Sequence, residues 1–278
     1  MRFRKVYVEI SNLCNLSCSF CPGTKRPVRR MTVAEFESLM PKLRPYTDYL
    51  YFHLMGEPLC HPHLQTFLEI AHRCGFRVIL TTNGTLLKKM QDVLLAAKAL
   101  HKINISLHAF EANDLQVPFG DYLDACFRFG EAVNGERIVV YRLWNQGGQE
   151  SFNAQILHRM KDYFPEPWAQ ERSGIRIGQR VYLENADRFQ WPDLSAEVED
   201  APVFCYGLKD QIGVLCDGTV VPCCLDHEGD IPLGNLFSQD LDAILASPRA
   251  QKLYRGFQCG KAEEPLCQHC DYARRFSR

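Results

Sequence analysis

Apolar positions along the first two-thirds of the chain switch repeatedly between two periods. Val6-Tyr7-Val8-Glu9-Ile10 reads as a strand, while Phe36, Leu39, Met40 and Leu43 recur at helical spacing within residues 33–44. Thr32 and Glu35 stand three apart at the start of that run, the pattern of a capping box. The alternation continues with strand Tyr49–Leu54, helix His63–Cys74 closed by Gly75, strand Phe76–Leu80 and a helix near 85–100. Strand Ile103–Leu107, helix 121–133, strand Arg137–Leu143, helix 151–163 and a weaker strand near 175–183 complete six β/α units. Strands separated by helices of this length predict a parallel sheet. Six units fall short of the eight that close a barrel, so the expected α/β fold is a partial (β/α)6 barrel over residues 1–184.

Beyond a linker at 185–203 the pattern changes. Short strands around Cys216-Asp217-Gly218-Thr219, a helix near 239–254 and a cysteine-rich tail predict a small α+β domain over 204–278. Composition adds exclusions. With 46% apolar and 23% charged residues the chain buries a real core, which excludes disorder. A net charge of −1 leaves no global field for nucleic acid or an anionic membrane. The longest apolar runs are far shorter than a membrane span, and Met1-Arg2-Phe3-Arg4-Lys5 leads into a strand rather than a signal-peptide core. A cytoplasmic protein without membrane or nucleic-acid partners is expected.

Thirteen cysteines change the picture. Cys60, Cys74 and Cys126 are scattered and read as small buried hydrophobes. Cys14, Cys18 and Cys21 share one loop directly after the first strand, and Cys205, Cys216, Cys223, Cys224, Cys259, Cys267 and Cys270 crowd the end. Soft thiolates gathered in this way select iron–sulfur clusters or zinc. Three ligands are one short of the four that a cubane cluster takes. One iron is then open to a small molecule, as catalytic zinc sites keep one position open.

The C-x3-C-x2-C loop, here Cys14-Asn15-Leu16-Ser17-Cys18-Ser19-Phe20-Cys21, resembles that of the radical S-adenosylmethionine (radical SAM) superfamily. The resemblance continues in order through Gly56-Glu57-Pro58, with Met55 where a GGEP-type motif has its first Gly, then Thr82-Asn83-Gly84 and Ser106. It implies a [4Fe–4S] cluster with an open iron site on Cys14, Cys18 and Cys21, and SAM at that iron. It also implies reductive cleavage to a 5′-deoxyadenosyl radical and hydrogen abstraction from a peptide or small-molecule substrate. An external electron donor of the flavodoxin or ferredoxin type is implied as a partner. Cofactor contacts are expected from Phe20, Gly56, Glu57, Pro58, Asn83 and Ser106, with carbonyls and the Glu57 carboxylate facing the methionine ammonium. Arg142 is expected to fork the methionine carboxylate, and Val181 or Leu183 to flank the adenine.

Cys205-x12-Gly218-x4-Cys223 and Cys267-x2-Cys270 resemble the SPASM/Twitch extensions of such enzymes. The resemblance implies one auxiliary [4Fe–4S] cluster on Cys205, Cys223, Cys267 and Cys270. Cys216, Cys224 and Cys259 are left over, which keeps open a second, incomplete cluster or an exchange of Cys259 for an assigned ligand. An auxiliary cluster would accept the second electron of an oxidation or cross-link, and Asp226 is the candidate base for the accompanying proton. The alternatives are a redox-neutral radical SAM isomerase and, in a different class, a zinc or iron–sulfur binding module without catalysis. Lys25-Arg26-Pro27-Val28-Arg29-Arg30 reads as a solvated face or a holder of an acidic substrate. His53, His61, His63 and His108 read as packing or substrate contacts.

Overall fold

The computed structural model describes residues 2–172, 174–195 and 203–274, so residues 196–202 of the expected linker and the last four of the chain lie outside it. Strands and helices alternate through β1 (Lys5–Val8), α1 (Val33–Leu43), β2 (Tyr49–Tyr51), α2 (Leu64–Arg73), β3 (Arg77–Thr82), α3 (Leu87–Ala96), β4 (Leu100–Ser106), α4 (Phe119–Ala132), β5 (Ile138–Gln146) and α5 (Asn153–Tyr163). Three strands follow: β6 (Ala169–Glu171), β7 (Gly174–Arg176) and β8 (Val181–Asp187). The C-terminal part adds β9 (Gln211–Val214), β10 (Thr219–Val221), β11 (Gly234–Asn235), α6 (Leu241–Leu245), α7 (Pro248–Gln258), α8 (Pro265–Gln268) and α9 (Asp271–Arg274).

All strands join one sheet in the order β11-β10-β9-β1-β2-β3-β4-β5-β8-β7-β6. β1, β2, β3, β4, β5 and β8 run parallel, and β1 and β8 do not pair with each other, so the six-stranded barrel is open. Strand side chains alternate between two faces. On one face Val6, Val8, Leu50, Val78, Leu80, Ile103, Ile105, Val139, Val181 and Leu183 pack on the apolar stripes of the helices in one buried cluster. The opposite face carries Tyr7, Tyr51, Thr81, Lys102, Asn104, Ser106, Arg142 and Glu184. A closed barrel fills its interior with branched apolar residues; this one presents polar groups there. The capping box forms as expected, with Thr32 and Glu35 bonding reciprocally at the start of α1.

One expectation is corrected. The weak strand at 175–183 is instead two strands: β7 runs antiparallel in a hairpin with β6, and the sixth parallel strand is β8. Gly178-Gln179-Arg180 makes the turn between them, where the Ile177 and Gly178 N–H groups donate to the Val181 carbonyl. The C-terminal part also extends the barrel sheet. β9 pairs in parallel with β1, from Lys5↔Gln211 to Val8↔Val214, and covers the edge that β1 would otherwise expose. Ile212, Val214, Val220, Ile231, Leu253 and Phe257 belong to the same buried cluster as the barrel helices. Among the described residues no helix is long and apolar enough to cross a membrane.

Candidate active site

The three-cysteine loop follows β1 and is pinned from two sides. Below it, the Glu57 N–H donates to the Leu13 carbonyl at 2.9 Å. Gly56 adopts φ +77, and a Cβ there would meet the carbonyl oxygens of Ser11 at 2.4 Å and Leu13 at 2.8 Å, so only glycine fits. Beside it, Asn15 donates to Thr85 Oγ1 at 2.9 Å and accepts from Asn83 Nδ2 at 3.0 Å, while the Ser17 N–H donates to Asn113 Oδ1 at 3.0 Å. Cys14 and Cys21 are exposed and Cys18 is half-buried. Donors point at the sulfurs: Leu16 N–H at Cys14 Sγ (3.4 Å) and Asn113 Nδ2 at Cys18 Sγ (3.1 Å). Such donors stabilise a thiolate ligand. Burial pushes Cys14 up to about 11, and Cys18 and Cys21 also upward, so without metal these are neutral thiols. Asn113, 95 residues from Cys18, carried no local sequence signal. The Phe20 ring packs on His108 at 4.9 Å between centroids.

Glu57 does not offer its carboxylate outward as expected. It is 2% exposed, with Oε1 accepting from Leu59 N–H at 3.0 Å and Oε2 from Asn83 N–H at 2.8 Å. Burial raises its carboxyl to about 7, against the pull of these donors. The side chain therefore ties the Gly56-Glu57-Pro58 turn to the Asn83-Gly84 turn, and Pro58 opens a buried 3-10 turn. Gly84 is required at φ +82, where a Cβ would meet Cys126 Sγ at 2.9 Å. Ser106, half-buried at the end of β4, stands in register with Arg142, and Arg142 with Glu184. Arg142 already has a partner: Nε donates to Glu184 Oε2 at 3.3 Å, and the guanidinium lies 4.4 Å from the Trp144 ring centre. Val181 and Leu183, expected at the adenine, face the helices and are buried there. Their neighbours Tyr182 and Glu184 take the opposite face of β8 and face inward.

The basic run is divided: Lys25, Pro27, Val28 and Arg30 are exposed, as a solvated face would be, while Arg26 and Arg29 are half-buried and paired. Arg26 forms a two-pronged ion pair with Glu9, which is wholly buried, and its Nε donates to the His227 carbonyl at 2.8 Å. Arg29 pairs with Glu35 and donates to the Cys216 carbonyl at 2.8 Å. These bonds fasten the cysteine loop to the C-terminal part.

At the far end of β1's edge, Cys205, Cys223, Cys267 and Cys270 line one small, largely apolar cavity of about 20 Å³, with Leu225, Phe257 and Leu266 among its walls. Cys205 precedes β9, Cys223 follows β10, Cys267 lies in α8 and Cys270 just before α9. The Gly207 N–H points at Cys205 Sγ at 3.3 Å. Burial, then the neighbouring thiols, raise Cys223 and Cys267 far above the usual thiol range. The leftover cysteines are dispersed. Cys216 is buried beside Arg26 and Glu9, Cys224 turns away to bond the Tyr7 hydroxyl, and Cys259 is exposed beyond α7. Asp226 is wholly buried on the cavity wall, and its two oxygens accept from Asp230 N–H (2.8 Å) and Ile231 N–H (3.0 Å). Burial raises it to about 6. Among the described residues no three Cys, His, Asp or Glu side chains converge as the ligands of a single metal ion would. Four thiols around a small apolar space, and three on an accessible loop with donors aimed at two of their sulfurs, fit a fully ligated and an open iron–sulfur cluster respectively.

The comparisons with known proteins agree with this division. Residues 8–140 match the profile of the radical SAM superfamily, and residues 205–271 match that of the SPASM iron–sulfur cluster-binding domain. The chain is a radical SAM protein with a C-terminal SPASM domain. The two domains imply a [4Fe–4S] cluster, SAM and an auxiliary iron–sulfur cluster. An AdoMet-dependent heme synthase from Methanosarcina barkeri (strain Fusaro / DSM 804) is 27% identical over 112 residues, which span 39% of this chain and only 32% of that relative. The fold is similar to BtrN in complex with AdoMet and 2-DOIA (TM-score 0.64, 18% identity, 98% of this chain and 94% of that one). It is also similar to Streptococcus suis SuiB bound to S-adenosylmethionine (0.65, 15%, 100% and 75%). A third similar structure is anSMEcpe with bound AdoMet and the Cp18Cys peptide (0.62, 15%, 96% and 88%). At these identities the likeness concerns the fold.

Proposed function

We propose that this protein abstracts hydrogen from a peptide or small-molecule substrate and completes a net oxidation or cross-link with the help of its auxiliary cluster. The observation that carries the reading is the contrast between the two cysteine sets: three thiols on an accessible loop after β1, and four around a small apolar cavity. Bound together, the loop cluster and SAM supply reductive radical chemistry, with electrons from an external donor of the flavodoxin or ferredoxin type. The chain's part is to hold and orient. Cys14, Cys18 and Cys21 hold the open cluster, and Asn113 and the Leu16 N–H steady two of its sulfurs. Asn83, Ser106 and Phe20 line the approach to SAM. Gly56-Glu57-Pro58 serves as the floor of the loop, its carboxylate directed inward. Cys205, Cys223, Cys267 and Cys270 hold the auxiliary cluster in a largely apolar setting. Asp226 acts as the acceptor that fixes the 226–231 loop against that cluster, rather than as the base.

Iron and sulfide per chain, with EPR, test this on anaerobically reconstituted protein and on the Cys14→Ala/Cys18→Ala/Cys21→Ala variant. About eight irons in the parent and about four in the variant are expected, with SAM perturbing the EPR signal of the parent alone. Four irons in the parent and none in the variant would remove the auxiliary cluster and the oxidative reaction with it. Zinc without iron would end the reading.

A further inference from the structure

Three exposed cations stand along one rim of the first cysteine loop. Lys88 and Lys89 occupy the first turn of α3, and Arg30 lies opposite Ser11 in an antiparallel bridge. Thr85, two residues before α3, accepts from Asn15 at 2.9 Å, so the start of this helix is fastened to the residue after Cys14. Cys60, read from the sequence as a small buried hydrophobe, is half-buried at this rim, and its thiol donates to Asn15 Oδ1 at 3.6 Å. Burial and then Glu57 raise that thiol while Arg30 and Lys89 oppose them, so both cations lie within electrostatic reach of Cys60. Among the described residues none of Arg30, Lys88 and Lys89 forms an ion pair.

The two lysines stand where local chemistry disfavours them. The first turn of a helix holds the positive end of its dipole and N–H groups without intrahelical partners, and it favours carboxylates. α1 follows that rule, with Glu35 in its first turn and Thr32 as its cap. α3 has no acid in its first turn, no side chain capping its N–H groups, and two lysines instead. Asp92, one turn further on, lines the groove toward α2. A local rule broken at the edge of a functional loop points to a use outside the fold. The other flanks of the loop differ. Asp114 is exposed beside Asn113 on the Cys18 side, and Glu228 accepts from the Lys25 N–H beyond Cys21. With a net charge of −1 the chain as a whole attracts no acidic partner, so only a locally positive rim selects one.

We propose that Arg30, Lys88 and Lys89, around Cys60, form the docking surface for an acidic electron-transfer protein of the flavodoxin type, which approaches the loop from its Cys14 side. The inference rests on the radical SAM reading above for the need of a donor. One electron leaves the partner's reduced flavin and reaches the loop cluster, and no bond in the chain is made or broken. Charges at a rim act on encounter more than on the held complex, so rate and salt dependence carry their signature.

Reconstituted holoenzyme with SAM is mixed with a flavodoxin reduced to its hydroquinone, and the growth of the SAM-shifted EPR signal is followed by freeze-quenching. Photoreduced deazaflavin serves as a small uncharged reductant. The flavodoxin rate is expected to fall about tenfold between about 25 and about 250 mM salt. Lys89→Glu should lower the low-salt rate about tenfold and flatten that dependence, with Lys88→Glu and Arg30→Glu each slowing it severalfold. Lys98→Glu, the same charge change just beyond the other end of α3, should leave the rate within about twofold. The deazaflavin rate, the iron content and the SAM-induced shift stay those of the parent in all four variants. Fluorescence anisotropy of labelled flavodoxin measures docking without turnover and should weaken in the same order. Equal slowing by Lys98→Glu and Lys89→Glu, or flavodoxin binding indifferent to salt and to Lys89→Glu, overturns the proposal. If SAM leaves the signal of the deazaflavin-reduced parent unmoved while flavodoxin still binds in a Lys89-dependent way, the docking surface stands and the radical reading falls.

Discussion

The two cysteine sites are built on opposite plans. Cys14, Cys18 and Cys21 sit within eight residues on an accessible loop, held by hydrogen bonds from neighbouring loops. Cys205, Cys223, Cys267 and Cys270 come from four separate elements and meet in an apolar cavity. The first plan keeps the geometry without metal, because Gly56, Glu57, Asn83 and Asn113 fix the loop. The second has short helices at its end, α8 and α9, of four residues each. Helices of that length do not stand alone in water. The auxiliary site therefore depends on what binds there, and the open site depends on the barrel.

The largest expected effect follows from that asymmetry. Cys267→Ala/Cys270→Ala in the reconstituted protein should cost several kcal/mol and open residues 260–274 to protease, because metal binding there is coupled to folding. The loop triple variant should lose less than about 1 kcal/mol, since no packing is removed. Urea unfolding with limited proteolysis compares them, and equal losses would erase the distinction.

Arg26 joins the two regions, bonding Glu9 on one side and the His227 carbonyl on the other. Arg26→Gln leaves a wholly buried Glu9 without its partner, so a loss of about 3 kcal/mol is expected. The iron of both sites should become easier to remove with a chelator. Chelation kinetics changed at one site alone would show that the sites are not joined through this pair.

A smaller effect concerns Glu57. Its carboxyl, raised to about 7 in the folded protein against an ordinary 4.5, makes the folded state bind a proton that the unfolded chain has already released. Stability should therefore fall as pH rises from about 4.5 to about 7 and flatten above it. Glu57→Gln should remove most of that slope. Urea midpoints of both proteins at pH 5.5 and 7.5 measure it, and a parent slope of the opposite sign would contradict the inward placement of this carboxylate.

Legibility varied with distance along the chain. The loop cysteines, the capping box at Thr32 and Glu35, and five of the six parallel strands were readable because their signals lie within a few residues of each other. The sixth strand was run together with β7, because the turn at Gly178-Gln179-Arg180 and the antiparallel pairing of β7 with both β6 and β8 are not written in the local pattern. Val181 and Leu183 were assigned to the adenine side because their facing is decided by pairing with β5, which places Tyr182 and Glu184 inward instead. Glu57 and Arg142 were recognised as chemically important, but their partners, Asn83 and Glu184, lie 26 and 42 residues away.

The sequence by itself determined the open β/α architecture, the gathering of Cys14, Cys18 and Cys21 in one loop apart from the seven C-terminal cysteines, and the superfamily that loop resembles. These properties are local: periodicity, turn residues and ligand spacing are written along the backbone. Tertiary structure alone decided that β9 closes the edge of β1, that Arg26 is spent on Glu9, that Glu57 faces inward, and that His53, Asn104, Lys102 and Arg142 share one face. Each of these rests on strand register. A shift of one residue sends every side chain of a strand to the other face, and register is set by pairing partners that local patterns do not name.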